Sequence, residues 1–213
     1  IYAGTGEANY ANHSRYGLGF YKSTDGGNNW QVLAESTFSG RCFSRIIVHP
    51  SNSQRLYASI TRAGGFPELA GAKGHPQATD PVGVYRSDDA GQNWTQLTNG
   101  LPSLSATDLT MDQSNPSILY AGIGRIFGDT ANGIYKTTDG GDSWTKLTTG
   151  LPTTTIGRVS VTVAPSNSNR VYAMLSNNAD ATGGGASMEG TYRSDDAGAT
   201  WAKLSLSNIQ ATY

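Results

Sequence analysis

Several features that would define a protein class are scarce in this chain of 213 residues. Cys42 is its single cysteine, which excludes an internal disulfide. No apolar run approaches the roughly 18 residues that a membrane helix needs, so no membrane span is predicted. Lys and Arg number 15 against 16 Asp and Glu, a net charge of -1. This balance offers no basic surface to nucleic acid or anionic lipid, so neither is an expected partner.

Glycine, by contrast, is abundant. The chain has 27 glycines, which is nearly twice the usual share of ~7%. Ser, Thr and Asn are also frequent, and no long amphipathic stretch is present. This composition is typical of short strands joined by tight turns.

One segment occurs four times without gaps: YKSTDGGNNWQVL, YRSDDAGQNWTQL, YKTTDGGDSWTKL and YRSDDAGATWAKL. Each copy has Ser or Thr, then Asp two residues on, Gly two later and Trp three later. The four sets are Ser23, Asp25, Gly27, Trp30; Ser87, Asp89, Gly91, Trp94; Thr137, Asp139, Gly141, Trp144; and Ser194, Asp196, Gly198, Trp201. Agreement at every fixed position in all four copies excludes chance and establishes an internal repeat.

A weaker motif lies between these segments: RIIVHPSNSQRLYAS, LTMDQSNPSILYAG and VTVAPSNSNRVYAM. Each is a β-prone run, a Pro/Ser/Asn turn and a second strand that contains Tyr57, Tyr120 or Tyr172. One repeat is therefore strand A, turn, strand B, a loop of variable length, strand C, the Asp-bearing turn and strand D. Successive repeats lie 64, 50 and 57 residues apart. Four antiparallel strands at this period predict a β-propeller blade.

The sequence thus predicts an all-β chain of four successive four-stranded antiparallel blades. Their predicted boundaries are 1–40, beginning at strand B, 41–104, 105–154 and 155–213. Neither terminus supplies the strand A that the first blade lacks. We therefore expect the chain to be part of a larger ring of six to eight blades, with the remaining blades as partners.

The turn motif resembles the Asp-box, or BNR repeat, S/T-x-D-x-G-x-x-W. That repeat occurs in the propellers of sialidases, sortilin-type receptors, xyloglucan-active hydrolases and many secreted bacterial proteins of unassigned role. The opening GTGEANYANHSRYGLGFYKSTDGG is most similar to the last group. The resemblance covers essentially the whole chain and implies a propeller in a secreted or cell-surface protein. It also implies that the Asp-box residues are structural, and it singles out no activity.

Nearly all length variation lies in one connection, the loop between strands B and C. The distance from strand-C Tyr to Trp is nine residues in every repeat, whereas strand-B Tyr and strand-C Tyr are 19, 28, 15 and 20 residues apart. Antiparallel order places the B–C and D–A connections at one end of the blades, here called the variable end. The A–B and C–D turns lie at the opposite, Asp-box end. Because loops vary in length at small cost and carry function, the variable end is the predicted binding face.

The variable end is predicted to collect charged side chains. Arginine presents a rigid fork suited to carboxylate or phosphate, and the acids Glu35, Glu68, Asp80, Asp129, Asp180 and Glu189 map there too. Arg15, Arg62 and Arg125 are assigned to B–C loops, and Arg41 and Arg158 to D–A connections. The candidate ligand-binding residues are Glu7, Arg15, Arg41, Arg62, Arg125 and Arg158. Mutual pairing of these charges is the competing interpretation.

Three functions stay open. The leading one is a binding scaffold that contacts glycan or protein through the variable end. The second is a glycoside hydrolase of sialidase or xyloglucan type with part of its active site outside this chain, and the third is a passive structural module. No catalytic residue is assigned, because sequence alone places no carboxylate pair across a cleft.

The remaining chemistry-bearing residues give weak signals. No metal or cofactor is expected, since His13, His49 and His75 lack ligand spacing. Cys42 is interpreted as a small buried side chain just before strand A. The segment 64–81 is the longest insertion, predicted to be an ordered lid or a mobile loop. The basic residues at one shared strand-C position are expected to be solvated or paired within their own blade: Lys22, Arg86, Lys136 and Arg193.

Overall fold

A computed structural model describes residues 1–9, 14–62, 82–125, 127–178 and 187–205. These residues form four sheets in chain order. The first sheet contains β1 (Tyr2–Gly4), β2 (Phe20–Lys22) and β3 (Gln31–Leu33). The second contains β4 (Arg41–Val48), β5 (Leu56–Arg62), β6 (Gly83–Ser87) and β7 (Thr95–Leu97). The third contains β8 (Ala106–Met111), β9 (Leu119–Ile123), β10 (Gly133–Thr137) and β11 (Thr145–Leu147). The fourth contains β12 (Ile156–Ala164), β13 (Asn167–Asn177), β14 (Met188–Ser194) and β15 (Ala202–Lys203).

Within each sheet the strands follow chain order, and every neighbouring pair is antiparallel. The prediction of an all-β chain of successive antiparallel sheets is confirmed, with three strands rather than four in the first sheet. The sequence pattern predicts the C strands of the second and third repeats at 83–87 and 133–137, and these match β6 and β10 residue for residue. The described residues also include one helical turn, α1 (Glu35–Phe38), which the sequence analysis did not anticipate.

Neighbouring sheets meet mainly through their A and B strands, so these strands lie on the inner side of the array. The A strands carry bulges at Ser44 and Thr107. Ser44 Oγ donates to the Ala106 carbonyl (2.7 Å), and Thr107 Oγ1 donates to the Val159 carbonyl (2.5 Å). Each bulged residue thus bonds the A strand of the following sheet, as expected for blades arranged around an axis.

The apolar core lies between sheets. One cluster joins the second and third sheets and includes Tyr57, Leu97 and Trp144. A second joins the third and fourth sheets and includes Tyr120 and Trp201. A third, built around Phe20, Phe38 and Phe43, joins the first and second sheets. Burying one large apolar side chain contributes roughly 1.5–3 kcal/mol, so packing against neighbours stabilises every sheet.

Several candidate residues lie in strands, which corrects their predicted placement in connections. Arg41 begins β4, Arg62 ends β5 and Arg158 lies within β12. Cys42 lies inside β4 rather than before it, and Glu189 lies in β14. The hydrophobic pattern predicts that strand A begins about 15 residues after the preceding Trp. The A strands begin 11 or 12 residues after it, because backbone pairing extends beyond the hydrophobic run. Other predictions fall outside the described residues: the insertion 64–81 with Glu68, His75 and Asp80, and also His13 and Asp180.

Candidate binding face

The third repeat shows how an Asp-box turn is built. Thr137 Oγ1 donates to Asp139 Oδ1 (2.6 Å) and accepts the Gly141 N–H (3.0 Å). Asp139 Oδ1 also accepts the Ser143 N–H (3.0 Å), and its Oδ2 accepts the Ser143 hydroxyl (2.5 Å). Trp144 Nε1 donates to the Gly141 carbonyl (3.1 Å). The carboxylate and the hydroxyl are therefore used inside the turn, as in Asx and ST turns.

The other three boxes repeat these bonds. In the first, the backbone N–H and side chain of Asn29, with Ser23, lower the pKa of Asp25 to about 2. In the fourth, the hydroxyl and N–H of Thr200, with Ser194, lower the pKa of Asp196 to about 2. Hydrogen bonds to an ionised carboxylate favour its charged form. Carboxylates held in this state serve as turn acceptors and are poor proton donors.

The Asp-box turns also join neighbouring sheets. The Tyr57 hydroxyl donates to the Gly140 carbonyl (2.9 Å), and the Tyr120 hydroxyl donates to the Ala197 carbonyl (2.8 Å). In both cases a strand-B Tyr of one sheet reaches the residue after the box Asp of the next sheet. Burial raises the pKa of Tyr57. We call each of these inter-sheet contacts, Tyr57 with Gly140 and Tyr120 with Ala197, a joint between sheets. Both joints lie at the Asp-box end.

The strand-C cations reinforce two of these joints, a role that the expectation of solvated or intrablade cations did not include. Arg86 also pairs with Asp88 of its own repeat (3.3 Å), as expected. Arg86 Nη1 donates to the Gly140 carbonyl (3.0 Å) and to Asp142 (2.6 Å) in the next sheet. Lys136 Nζ donates to the Ala197 carbonyl (2.7 Å). Arg193 does pair within its own sheet, with Asp195 at 2.8 Å. The bonds of Arg86 and Lys136 to the next sheet join different repeats. The spacing of residues within one repeat does not reveal such bonds.

The connection that follows strand D is also hydrogen-bonded to the next sheet. Trp144 N–H donates to the Asn99 carbonyl, and Trp201 N–H donates to the Thr149 carbonyl, both at 3.0 Å. A Cβ on Gly100 would lie 2.0 Å from the Trp144 carbonyl oxygen, and a Cβ on Gly150 would lie 1.9 Å from that of Trp201. Sequence reasoning missed these glycines, although Gly-Leu-Pro recurs at 100–102 and 150–152 and could have signalled them.

Burial of the box Trp follows from this packing. Trp144 and Trp201 are each 5% exposed because the preceding sheet covers them. Trp94 is partly buried and meets Phe20 edge-on, with ring centroids 5.2 Å apart. Trp30 has no sheet before it among the described residues, and it is 44% exposed. Identical sequence motifs therefore differ in burial according to their neighbour.

At the variable end, the structure brings together four candidates where the first and second sheets meet. The Arg15 N–H donates to Glu7 Oε2 (3.0 Å), and the Arg15 carbonyl accepts the Glu7 N–H (2.9 Å). The Arg15 carbonyl also accepts the Cys42 thiol (3.4 Å), next to Arg41. Arg41 and Arg62 are directly paired across β4 and β5. Cys42 is fully buried, and burial raises its pKa to about 11, so this thiol is inert near neutral pH.

The other two candidates, Arg125 and Arg158, lie where the third and fourth sheets meet. Arg125 N–H donates to Asn132 Oδ1 (2.9 Å), and Asn132 Nδ2 donates to the Arg125 carbonyl (2.8 Å) and the Ile156 carbonyl (2.6 Å). Arg158 N–H donates to Ser176 Oγ (2.8 Å). The buried Asn132 therefore ties the B–C loop of one sheet to the A strand of the next. The six candidates form two groups rather than one site.

Carboxylates at this end also have local partners. Glu189 accepts the Tyr192 hydroxyl (2.7 Å) and Lys203 Nζ (2.8 Å) within its own hairpin. Asp129 Oδ1 accepts the Ala131 N–H (2.9 Å). Across the described ranges, no cluster of three or more His, Cys, Asp or Glu residues could hold a metal ion. In that same part of the chain, no helix is long and apolar enough to span a membrane.

A cavity of about 270 Å³ opens between the third and fourth sheets at the variable end. Its walls come from the B–C loop around Asp129, from β10 and β11, and from the D–A connection 148–155. Ile134, Leu147 and Leu175 contribute apolar surface. Threonines supply hydroxyls around it: Thr130, Thr148, Thr153, Thr154 and Thr155. This concave surface combines apolar and polar groups in the way that binding sites for small ligands do.

The successive antiparallel sheets and their repeated turns define a BNR-type β-propeller. The family model Sortilin-Vps10, described as sortilin, neurotensin receptor 3, matches residues 83–213, which is more than half of the chain. The chain therefore belongs to the Sortilin-Vps10 family. Among curated proteins no sequence matches.

Solved structures support the same fold. An ancestral GH74 enzyme matches with a TM-score of 0.60 and 23% identity, over 95% of this chain and 23% of its own. The GH74 enzyme of Niastella koreensis matches with a TM-score of 0.61 and 24% identity, over 95% of this chain and 27% of its own. This chain thus spans about a quarter of the length of either enzyme. At such identities the likeness shows the fold alone.

Proposed function

We propose that this chain is a binding scaffold whose variable end contacts a glycan or a protein. One observation carries the proposal: the two ends of the sheets use their polar groups differently. At the Asp-box end, every box Asp accepts a hydrogen bond from the Ser or Thr two residues before it. The strand-B Tyr hydroxyls of the second and third sheets each donate to a turn carbonyl of the next sheet. At the variable end the B–C loops differ in length from repeat to repeat. A cavity opens there between the third and fourth sheets.

The proposal includes a secreted or cell-surface location, supported by membership of a sortilin-type family. It also includes the division into blades at 1–40, 41–104, 105–154 and 155–213, and a ring completed by further blades. The charged candidates fit a contact surface of mixed sign, since Glu7 lies beside Arg15 while Arg125 and Arg158 lie at another junction. Such a surface suits selective recognition better than broad attraction of anions.

Glycoside hydrolysis remains the alternative, with catalytic residues unassigned. Hydrolysis needs two carboxyl groups facing each other across the scissile bond, roughly 5 to 10 Å apart. Asp129 and Glu189 instead accept hydrogen bonds from their own loop and hairpin. These contacts explain both carboxylates as structural acceptors, so no observation favours the hydrolase over the scaffold.

Binding to an immobilised panel of β-glucan oligosaccharides and sialyllactose, and to a displayed peptide library, tests the proposal. Glu7→Ala and Arg125→Ala alter the variable end, and we expect at least one to weaken binding about tenfold with an unchanged melting temperature. Arg55→Ala is the matched control, because Arg55 pairs with Asp88 (2.6 Å) at the Asp-box end. Loss of binding in the control alone would contradict the proposal, and turnover of either glycan would favour the hydrolase.

A further inference from the structure

Two D–A connections of similar sequence differ at one packing position. Residues 98–105 read TNGLPSLS and residues 148–155 read TTGLPTTT. Aligned on Gly100 and Gly150, which make the same close approach to the next box Trp, they place Leu104 opposite Thr154. Leu104 is partly buried and packs against the apolar cluster between the second and third sheets. Thr154 is exposed.

The cavity of about 270 Å³ lies where Thr154 replaces the leucine. A threonine side chain is shorter and more polar than leucine, so it leaves this junction unfilled. The surface beneath is aliphatic and comes from Ile134, Leu147, Ile156 and Leu175. Protein interiors are normally close-packed. The threonine at the position where the preceding connection has a leucine gives a specific reason for the unfilled space at this junction.

The polar groups around the cavity are balanced in charge. Lys146 Nζ donates to the Thr130 carbonyl (2.7 Å), and Asp129 Oδ1 accepts the Ala131 N–H (2.9 Å). Both side chains line the cavity, one of each sign. The exposed Thr153, Thr154 and Thr155 add hydroxyls that can donate or accept. The rim therefore offers donors and acceptors without a net charge.

We propose that this cavity binds one neutral sugar ring, at the end or along the chain of a glycan. The inference rests on the proposed binding function and names its ligand class and place. The volume lies just below the ~300–1,000 Å³ of sites for drug-sized ligands, which fits a single ring. The ring hydroxyls match the mixed donors and acceptors of the rim, and its C–H face matches the aliphatic floor. An aliphatic peptide side chain fits less well, since it would cover hydroxyls without bonding them.

Titration with the methyl glycosides of glucose, galactose, mannose and xylose tests the proposal, followed by NMR of the threonine methyl groups. We expect saturable shifts at Thr153, Thr154 and Thr155, with dissociation constants in the millimolar range. Thr154→Leu introduces the residue that the connection 98–105 has at the equivalent position, and it should weaken binding at least about tenfold. Thr145→Leu is the matched control, since it adds the same side chain at an exposed site of β11 outside the cavity. This control should bind like the wild type.

A second variant keeps the test decisive if Thr154→Leu does not fold. Asp129→Asn retains an oxygen for the Ala131 N–H and removes the charge, so it should fold and bind the glycosides about tenfold more weakly. Three results would overturn the proposal: no shift with any glycoside up to about 50 mM, equal binding by wild type and Thr154→Leu, or binding of N-acetyl-leucine amide in place of sugars. If glycosides fail while other ligands still bind the variable end, only this inference falls. If nothing binds that end, the scaffold proposal falls with it.

Discussion

The Tyr57 hydroxyl donates a hydrogen bond of 2.9 Å to the Gly140 carbonyl, which lies 83 residues later in the Asp-box turn of the next sheet. Tyr120 and Ala197 repeat this relationship one sheet further along, at 2.8 Å. An Asp-box turn is therefore organised internally by its Asp and externally by the sheet before it.

Removing one inter-sheet hydroxyl should destabilise the chain modestly. Tyr57→Phe deletes the bond to Gly140 and preserves the ring, and the carbonyl keeps its bond from Arg86. We expect a loss of about 0.5–1.5 kcal/mol in the free energy of unfolding, measured by urea denaturation. Tyr21→Phe is the control, since the Tyr21 hydroxyl has no hydrogen bond to the described residues. Equal losses in both variants would contradict an inter-sheet role.

Two box tryptophans should differ sharply in their contribution to stability. Trp144→Ala removes a ring that is 5% exposed and should cost about 3–5 kcal/mol. Trp30→Ala removes a ring that is 44% exposed and should cost much less, about 1 kcal/mol. Thermal melts of both variants give the comparison. Similar melting temperatures would show that the Trp acts within its own hairpin rather than against the neighbouring sheet.

The glycine of the Gly-Leu-Pro connection should tolerate no side chain. Gly150→Ala places a Cβ 1.9 Å from the Trp201 carbonyl oxygen at a φ of +82°. Because backbone atoms cannot move aside cheaply, we expect at least about 2 kcal/mol of destabilisation by urea denaturation. Gly26→Ala also has a positive φ, +76°, but its Cβ would meet nothing within 4 Å. Ala90 and Ala197 occupy the equivalent site, so this control should cost no more than about 1 kcal/mol. A larger loss in the control would refute the steric argument.

Stability should fall in acid through the Asp-box carboxylates. Hydrogen bonds lower the pKa of Asp25 and Asp196 to about 2 in the folded chain, below the ordinary value of 3.8. A lowered pKa stabilises the fold above the ordinary value and loses that effect as the pH falls toward 2. Melting temperatures between about pH 5 and pH 2 should therefore decline, and Asp196→Asn should flatten the decline. An unchanged slope in this variant would exclude Asp196 as a source.

The strand pattern was predictable because each repeat contains its own strand and turn residues close together in the sequence. The Tyr-to-Trp spacing places β6 and β10 correctly, since a hairpin with a Gly-containing turn fixes its own register. The A strands were less predictable at their beginnings, because polar residues such as Arg41, which pairs with Arg62, extend the backbone ladder beyond the apolar alternation. Hydrogen bonding between backbones does not depend on hydrophobic pattern, so sequence periodicity ends before the strand does.

The candidate face was only partly predictable. The sequence placed Glu7 and Arg15 at the variable end, and they are hydrogen-bonded there. It could not show that Arg125 and Arg158 form a separate group, because their separation depends on which sheets become neighbours. Thr154, which lines the cavity, aligns with Leu104 of the preceding connection, and Leu104 packs against an apolar cluster. The residues that the repeats share define the repeat, and they do not indicate a position such as Thr154, at which the repeats differ.

The joints between sheets have a direction. Where the second sheet meets the third and the third meets the fourth, the earlier sheet donates its Tyr hydroxyl and a cation to a turn carbonyl of the later sheet. The box Trp N–H of the later sheet donates in return to the connection that follows the earlier sheet. The two sides of a sheet therefore present different groups to their neighbours at the Asp-box end. In a row of such sheets the stability of a unit is a sum of its own energy and that of its contacts. A sheet could not be turned around without losing these bonds, so they fix the direction in which successive sheets follow one another.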